Sequence, residues 1–378
     1  MADWPQHLLA WYQTARREMP WRGHPDAYAV WVSEIMLQQT QVNTVRPYFE
    51  RFLQTFPDIR TLAAAPDETL LKAWEGLGYY TRVRNLRKAA QVLVQTNGAQ
   101  LPTTAQALKA LPGIGPYTAA AIASICFNEP EPVVDGNVAR VFARHNLLTD
   151  DFTKEPNRRK LADWLRPFIC KMPIPGDFNQ AMMELGALVC TPKNPQCEGC
   201  PLRATCQAEK AGTQKDYPII PARKALPERE RKVYFLQNDA GAILFMRHEG
   251  ERLLDGFWEL PSEEALPFCV TTPRPCLTHR QTFTHFKQTL HILRADVVAT
   301  DAPLPDNFTW AHTPDTLPLT TATRQILATL LTPKPAPHRT PRARKAAVKQ
   351  KTPSSNPPAQ RTTSPKRREK SQQKMRKA

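Results

Sequence analysis

The 378-residue sequence has no apolar run long enough to cross a bilayer, so no helical membrane span is expected. The N-terminal stretch, MADWPQHLLAWYQTARREMPW, is broken by Asp3, Glu18 and two prolines and does not read as a secretory signal. A disulfide framework is also missing, because Cys126, Cys170, Cys269 and Cys276 show no regular spacing. Acid is scarce at one end: residues 332–378 hold 15 Lys/Arg against Glu369 alone. The preceding 331 residues carry 36 basic and 34 acidic side chains, so the net charge of +16 resides almost wholly in the terminal segment. That segment has no periodic apolar face and is expected to be disordered. Its expected partner is a polyanion, with DNA or RNA leading; a merely solubilising role is the alternative. These absences predict a soluble protein of a reducing compartment with no membrane partner; a monomer is expected, cytoplasmic, and nucleoid-associated if bacterial.

What is present is concentrated in one stretch. Cys190, Cys197, Cys200 and Cys206 read C-x6-C-x2-C-x5-C within seventeen residues. Four thiolates so close together suit one metal centre, an iron–sulfur cluster or zinc. A structural zinc site usually pairs two C-x2-C hooks, and here Cys197–Cys200 is the single one, which favours the cluster.

Periodicity divides the chain. Val42, Val45, Phe49, Phe52 and Phe56 recur at helical steps, as do Val83, Leu86, Ala90 and Leu93. Residues 1–215 therefore read as a helical domain containing the cysteine loop 190–206. A proline-laced linker follows at 216–231. Residues 232–331 alternate β-rich runs (VYFLQ, AILFMR, FWELP, HILRADVVA) with turns and close on one helix, TTATRQILATLL, capped by Thr320 or Thr321. The basic segment 332–378 ends the chain. The expected fold is thus multidomain: mostly α, then α+β, then disordered.

LPGIG (Leu111–Gly115) lies between two helical stretches. Gly113 and Gly115 permit a tight hairpin, and the free N–H groups of the helix that follows could hold a phosphate; an ordinary helical corner would look the same. Twenty residues on, VVDGNVAR places Asp135 before Gly136-Asn137, a position where an aspartate is often only an N-cap. Hairpin and aspartate at this distance resemble the helix–hairpin–helix base-excision DNA glycosylases. The resemblance implies that Asp135 faces the sugar of an extruded nucleotide.

The cysteine spacing resembles the endonuclease III and MutY branches, and implies one 4Fe-4S cluster held by the four cysteines. PWRGHPDAYAVWVSEIMLQQTQV (Pro20–Val42) is similar to the MutY branch, the adenine DNA glycosylases. Glu34 sits among apolar Val30, Trp31, Ile35 and Leu37, where desolvation would raise its pKa; a solvated helix glutamate is the plainer reading. The resemblance makes it the general acid that protonates adenine. It also implies that Tyr117, which stands where lyases carry a nucleophilic lysine, makes the enzyme monofunctional. By the same resemblance Asn137 bonds near the catalytic acids. Arg22 and Gln180 are expected at the pocket, and Gln39, Thr40 and Tyr79 around the DNA stack. Glu184 is read as structural.

Residues 232–331 resemble a Nudix fold without its glutamate helix: after GFWELP the chain reads SEEALPFCVTTPRPC. That implies recognition and not hydrolysis. Phe283, Thr284 and His285 stand where MutY relatives carry the F-S-H that reads 8-oxoguanine, with Thr284 replacing the serine. The implied partner is double-stranded DNA with adenine opposite 8-oxoguanine or guanine. Another mismatch preference, such as thymine in T·G, or a non-catalytic iron–sulfur DNA-binding protein, are the alternatives.

Overall fold

A computed structural model describes residues 4–24, 26–221, 225–250, 254–298 and 303–332. The basic segment expected to be disordered lies outside them beyond Thr332. The described residues belong to one compact unit, Met1–Thr332.

The first 211 residues are helical: α1 (Trp4–Ala15), α2 (Ala27–Leu37), α3 (Val42–Thr55), α4 (Ile59–Ala63), α5 (Asp67–Trp74), α6 (Thr81–Thr96), α7 (Ala105–Leu108), α8 (Pro116–Phe127), α9 (Gly136–Asn146), α10 (Glu155–Ile169), α11 (Pro175–Leu188) and α12 (Gln207–Ala211). They form two lobes. In the first, Val45, Phe49, Phe52 and Phe56 of the α3 stripe meet Val83, Leu86, Ala90 and Leu93 of α6 around α2. The second joins α1 to α9, α10 and α11 through Trp4, Leu8, Tyr12, Phe142, Leu165 and Phe178. Each lobe follows from an apolar stripe at helical spacing that must be covered by another stripe.

α8 belongs to both lobes. Ala119, Ile122 and Ala123 face the first core, while Ala120 and Ala121 face Val133 with Met183 of α11 packed against them. Small residues let α11 approach closely: a Cβ on Gly176 would lie 2.8 Å from Ile125 Cα. Such buried, two-sided helices carry no amphipathic pattern.

Six strands follow: β1 (Glu228–Phe235), β2 (Ile243–Arg247), β3 (Trp258–Glu259), β4 (Arg274–Thr282), β5 (Lys287–Arg294) and β6 (Phe308–Ala311), then α13 (Thr321–Leu331). They make two three-stranded sheets, β1-β5-β4 and β3-β2-β6. β1 and β5 run parallel, and the other neighbouring strands pair antiparallel. Alternation decides the packing. Val233 and Phe235 point to a core shared with α13, Tyr234 and Leu236 to a second one. Thr320 is the α13 cap, its hydroxyl accepting from the Thr323 amide at 3.2 Å.

Three details differ from the sequence reading. β1 starts at Glu228, inside the stretch read as linker. β4 has no sequence signal: RPCLTHRQT is polar and starts beside a proline, and its residues are exposed or half-buried. Pairing with β5, not an apolar face, makes it a strand. The first helix of the hairpin, α7, spans only four residues.

Candidate active site

The site forms where the lobes meet. Glu34 comes from α2, whose residues from Tyr28 to Met36 are all buried. Its carboxylate accepts a hydrogen bond from Tyr117 Oη at 3.0 Å, in the first turn of α8. Burial pushes the Glu34 carboxyl up to about 7. The Tyr117 bond opposes that rise, the charge of Asp135 adds to it, and Arg22 lowers it. Burial likewise pushes the Tyr117 phenol well above its ordinary value, helped by the Glu34 charge.

Asp135 is the N-cap of α9. Its Oδ1 accepts from the Val138 amide at 2.7 Å and its Oδ2 from Asn137 Nδ2 at 2.8 Å. Burial pushes this carboxyl up, and the two hydrogen bonds pull it back. The N-cap reading is met, and capping fixes the carboxylate in direction. Asn179, 2% exposed, holds the strand-like approach to Asp135 through a bond from the Val133 amide to its Oδ1 at 3.0 Å.

Behind this pair lie residues that the sequence reading did not connect. Glu184 is a hub. It accepts from the Arg17 backbone N–H at 2.8 Å and from Arg17 Nε at 2.9 Å, and pairs with Arg22 at 3.3 Å. Arg22 also donates to Gln180 Oε1 at 3.1 Å. Burial would raise the Glu184 carboxyl, but the arginine bonds hold it down at about 2. Asn137 Oδ1 accepts from Arg140 Nη2 at 2.8 Å, and Arg140 Nε donates to the Cys190 carbonyl at 2.8 Å. A chain of bonds thus runs from Asp135 to the cysteine loop. Gly186 makes room for it, since a Cβ there would sit 2.5 Å from Asn137 Cβ. Glu184 lies 167 positions from Arg17 and 162 from Arg22, a separation that leaves no one-dimensional signal, so only folding makes these links visible.

A second group surrounds Arg82. Its guanidinium donates to the carbonyls of Ile35 (3.0 Å) and Met36 (2.9 Å) at the end of α2, and to those of Leu77 and Gly78 (both 3.2 Å). It also reaches Thr40 Oγ1 at 3.2 Å. Gln39 and Tyr79, on the two segments it ties together, have φ of +56° and +49°. Non-glycine residues in this region are uncommon and mark held backbone. Both are exposed, Tyr79 at 46%. In the hairpin, Gly113 has φ +77° and a Cβ would lie 2.6 Å from Asn85 Cβ. Gly115 is instead extended at φ −84°, the N-cap of α8, with open space at its Cβ position. Positive φ is thus required at Gly113 and not at Gly115.

The four cysteines line one cavity with Arg144, His145 and Gln214. Arg144 donates to Cys190 Sγ at 3.4 Å and to the Thr191 carbonyl at 2.7 Å. Burial pushes the thiols of Cys197 and Cys206 up and that of Cys200 up to about 12, and neighbouring thiolate charge adds to each. Among the described residues no three His, Cys, Asp or Glu side chains form a group that could hold a metal ion. Phe283, Thr284 and His285 stand apart from the acids, at the β4–β5 tip. There Phe283 and Phe286 stack at 4.5 Å and Arg229 lies over Phe286 at 4.4 Å. Glu263 and Glu264 sit on one 3-10 turn, Glu263–Ala265, and not on a longer helix. Among the described residues, no helix is long and apolar enough to cross a membrane.

Known proteins resemble this chain in sequence. The family model "HhH-GPD superfamily base excision DNA repair protein" matches residues 32–167. An adenine DNA glycosylase of Schizosaccharomyces pombe is 32% identical over 319 residues, which are 68% of this chain and 69% of that protein. One of Rattus norvegicus is 43% identical over 232 residues, 59% of this chain and 45% of that protein. The chain spans about half the length of the mammalian relatives it matches. A solved thermostable thymine-DNA glycosylase is 26% identical, with a TM-score of 0.49, over 55% of this chain and 95% of its own. The chain belongs to the HhH-GPD superfamily of base excision DNA repair proteins, in its adenine DNA glycosylase branch.

Proposed function

We propose that this protein is a monofunctional adenine DNA glycosylase that removes adenine opposite 8-oxoguanine or guanine in double-stranded DNA. The observation that carries the reading is the pairing of two acids with different surroundings. Glu34 is buried, bonded to a phenol, and retains its proton near neutrality. Asp135 is fixed by an amide on each oxygen. One carboxyl can therefore deliver a proton to the adenine ring while the other faces the sugar, where positive charge grows as the N-glycosidic bond breaks. Tyr117 offers no amine for attack on C1′, so the product is an intact abasic site. Gln39 and Tyr79, on constrained and exposed turns, are suited to enter the stack around an extruded base.

The sheets are proposed as a Nudix-like reader of the opposite base, with Phe283, Thr284 and His285 at its exposed tip. Glutamates on a single turn do not form a magnesium-binding helix. The cysteine cavity is proposed to hold one 4Fe-4S cluster. The four cysteines line one cavity although no three of them close into a metal-binding group, and the Arg144 guanidinium beside Cys190 Sγ supplies positive charge that favours thiolate. The cluster would hold loop 190–206 in shape.

The test is a glycosylase assay of the full chain on duplexes with adenine opposite 8-oxoguanine, guanine, cytosine or thymine, and with T·G. Adenine release opposite 8-oxoguanine and guanine, with strand scission only after alkali, is expected. Release of thymine from T·G, or no release, would overturn the reading.

A further inference from the structure

Phe257 comes from the GFWELP segment of the sheets, yet it is fully buried in the core of the first helical lobe. Its ring lies 4.0 Å from that of Tyr80. The adjacent Gly256 has φ +75°, and a Cβ there would come within 2.9 Å of Leu71 Cδ1. Arg84 donates to the Asp255 carbonyl beside it. Five residues before Tyr80, Glu75 is gripped from the same side. It accepts from Arg324 Nε at 2.8 Å and Nη2 at 2.6 Å, and from the Leu319 amide at 3.2 Å. Lys72, paired with Glu75 at 2.8 Å, donates to the Leu317 carbonyl at 3.0 Å.

Glu75 and Tyr80 bracket the turn that presents Tyr79. Within it Gly76, Gly78 and Tyr79 all have positive φ: +96°, +67° and +49°. Such a turn persists only where its surroundings over-determine it. Arg82 holds it from within the helical lobe; α13 and the segment before it hold the Glu75 end, and Phe257 beside β3 holds the Tyr80 end.

We infer that the C-terminal sheets and the α13 helix that closes them have a second role, as the buttress that keeps the Tyr79 turn in its DNA-entering shape. Phe257, Glu75 and Arg324 are the positioning residues. The inference rests on the proposed reading of Tyr79 as a residue that enters the stack. It means that the sheets contribute to excision at every adenine pair, apart from any reading of the opposite base at the β4–β5 tip. An ordinary domain contact would stabilise the protein without acting through Tyr79, and the two cases are separable.

The test uses the full-length chain with Phe257→Ala and, in case that variant fails to fold, Arg324→Ala, whose side chain is 41% exposed. Backbone hydrogen exchange without DNA should quicken in segment 75–82 while α8 and α11 keep their protection. Single-turnover adenine release should slow about tenfold opposite both 8-oxoguanine and guanine, yet change little when the same substitution is added to Tyr79→Ala, because coupled residues are non-additive. Unchanged exchange in 75–82 for both variants, or effects that multiply fully in the Tyr79→Ala background, would overturn the inference. Were the wild type to release no adenine, the functional reading would fall, and the exchange measurement would still decide whether the sheets hold the turn.

Discussion

Glu34 sets the pH behaviour expected of the proposed reaction. A general acid with its carboxyl near 7 is lost as pH rises, so adenine release should fall through about that pH. The Tyr117 hydrogen bond stabilises the carboxylate, so Tyr117→Phe should move this alkaline limb upward; single-turnover rates across pH would read it. Glu34→Gln should keep DNA binding and lose about 10²–10⁴ in excision, a typical contribution of general acid catalysis. The same residue is a stability liability. Its pKa is higher folded than the 4.5 of the free group, so its stabilising contribution is full below 4.5 and is lost as pH rises to about 7. Each unit of that gap is worth about 1.4 kcal/mol, and Glu34→Gln should gain stability relative to wild type above pH 7 in denaturant titrations. Glu184 has the opposite sign. Its carboxyl is held near 2, so its contribution is present above 4.5 and lost as pH falls towards 2. Glu184→Gln should flatten the acid side of the stability curve and remove the charge that Arg17 and Arg22 share, at a cost of about 1–3 kcal/mol because both guanidiniums keep solvent or other acceptors.

Between elements, closeness of approach is what matters. α9 and α11 meet with Gly186 against Asn137. Gly186→Ala should destabilise by about 1–3 kcal/mol through overpacking. It should also reduce excision more than stability alone explains, because the displaced residue is the one bonded to Asp135. Thermal unfolding and excision rates on one preparation would show both. At the cysteine loop, the purified protein should be yellow-brown with about four irons per chain if one cubane is bound. Stoichiometric zinc without visible absorption would remove the cluster from the proposal. Cys200→Ala should open protease sites near 190–206, since Leu202 is the loop's one buried side chain among the described residues.

At the scale of the molecule, the sheets are not a detachable module. Removing residues 232–378 takes Phe257 out of the first helical core and Arg324 away from Glu75. The truncated protein should lose discrimination between 8-oxoguanine and guanine, and should also unfold at lower denaturant than the full chain. Deleting only 333–378 should spare both properties. It should lower non-specific DNA affinity and flatten its salt dependence by about 0.9 in log–log slope for each phosphate that the segment neutralises.

The sequence by itself determined what is local. Stripes at helical spacing mark α3 and α6, β-rich runs mark β1 and β2, and Thr320 has the chemistry and position of the cap it forms. Asp135, the hairpin glycines and the four cysteines are also legible as candidates, because each is a chemical type at a fixed spacing, whereas Glu34 stands out only through the family resemblance. Tertiary structure alone decided how they act. That Glu34 is buried, and bonded to Tyr117 83 positions away, depends on which helix faces which. The grip of Glu184 on Arg17 and Arg22, of Arg82 on the end of α2 and of Phe257 on Tyr80 joins residues too distant for any periodicity to register. Hydrogen bonds and close packing act over a few ångströms, and folding, not sequence spacing, chooses which distant residues come within that range.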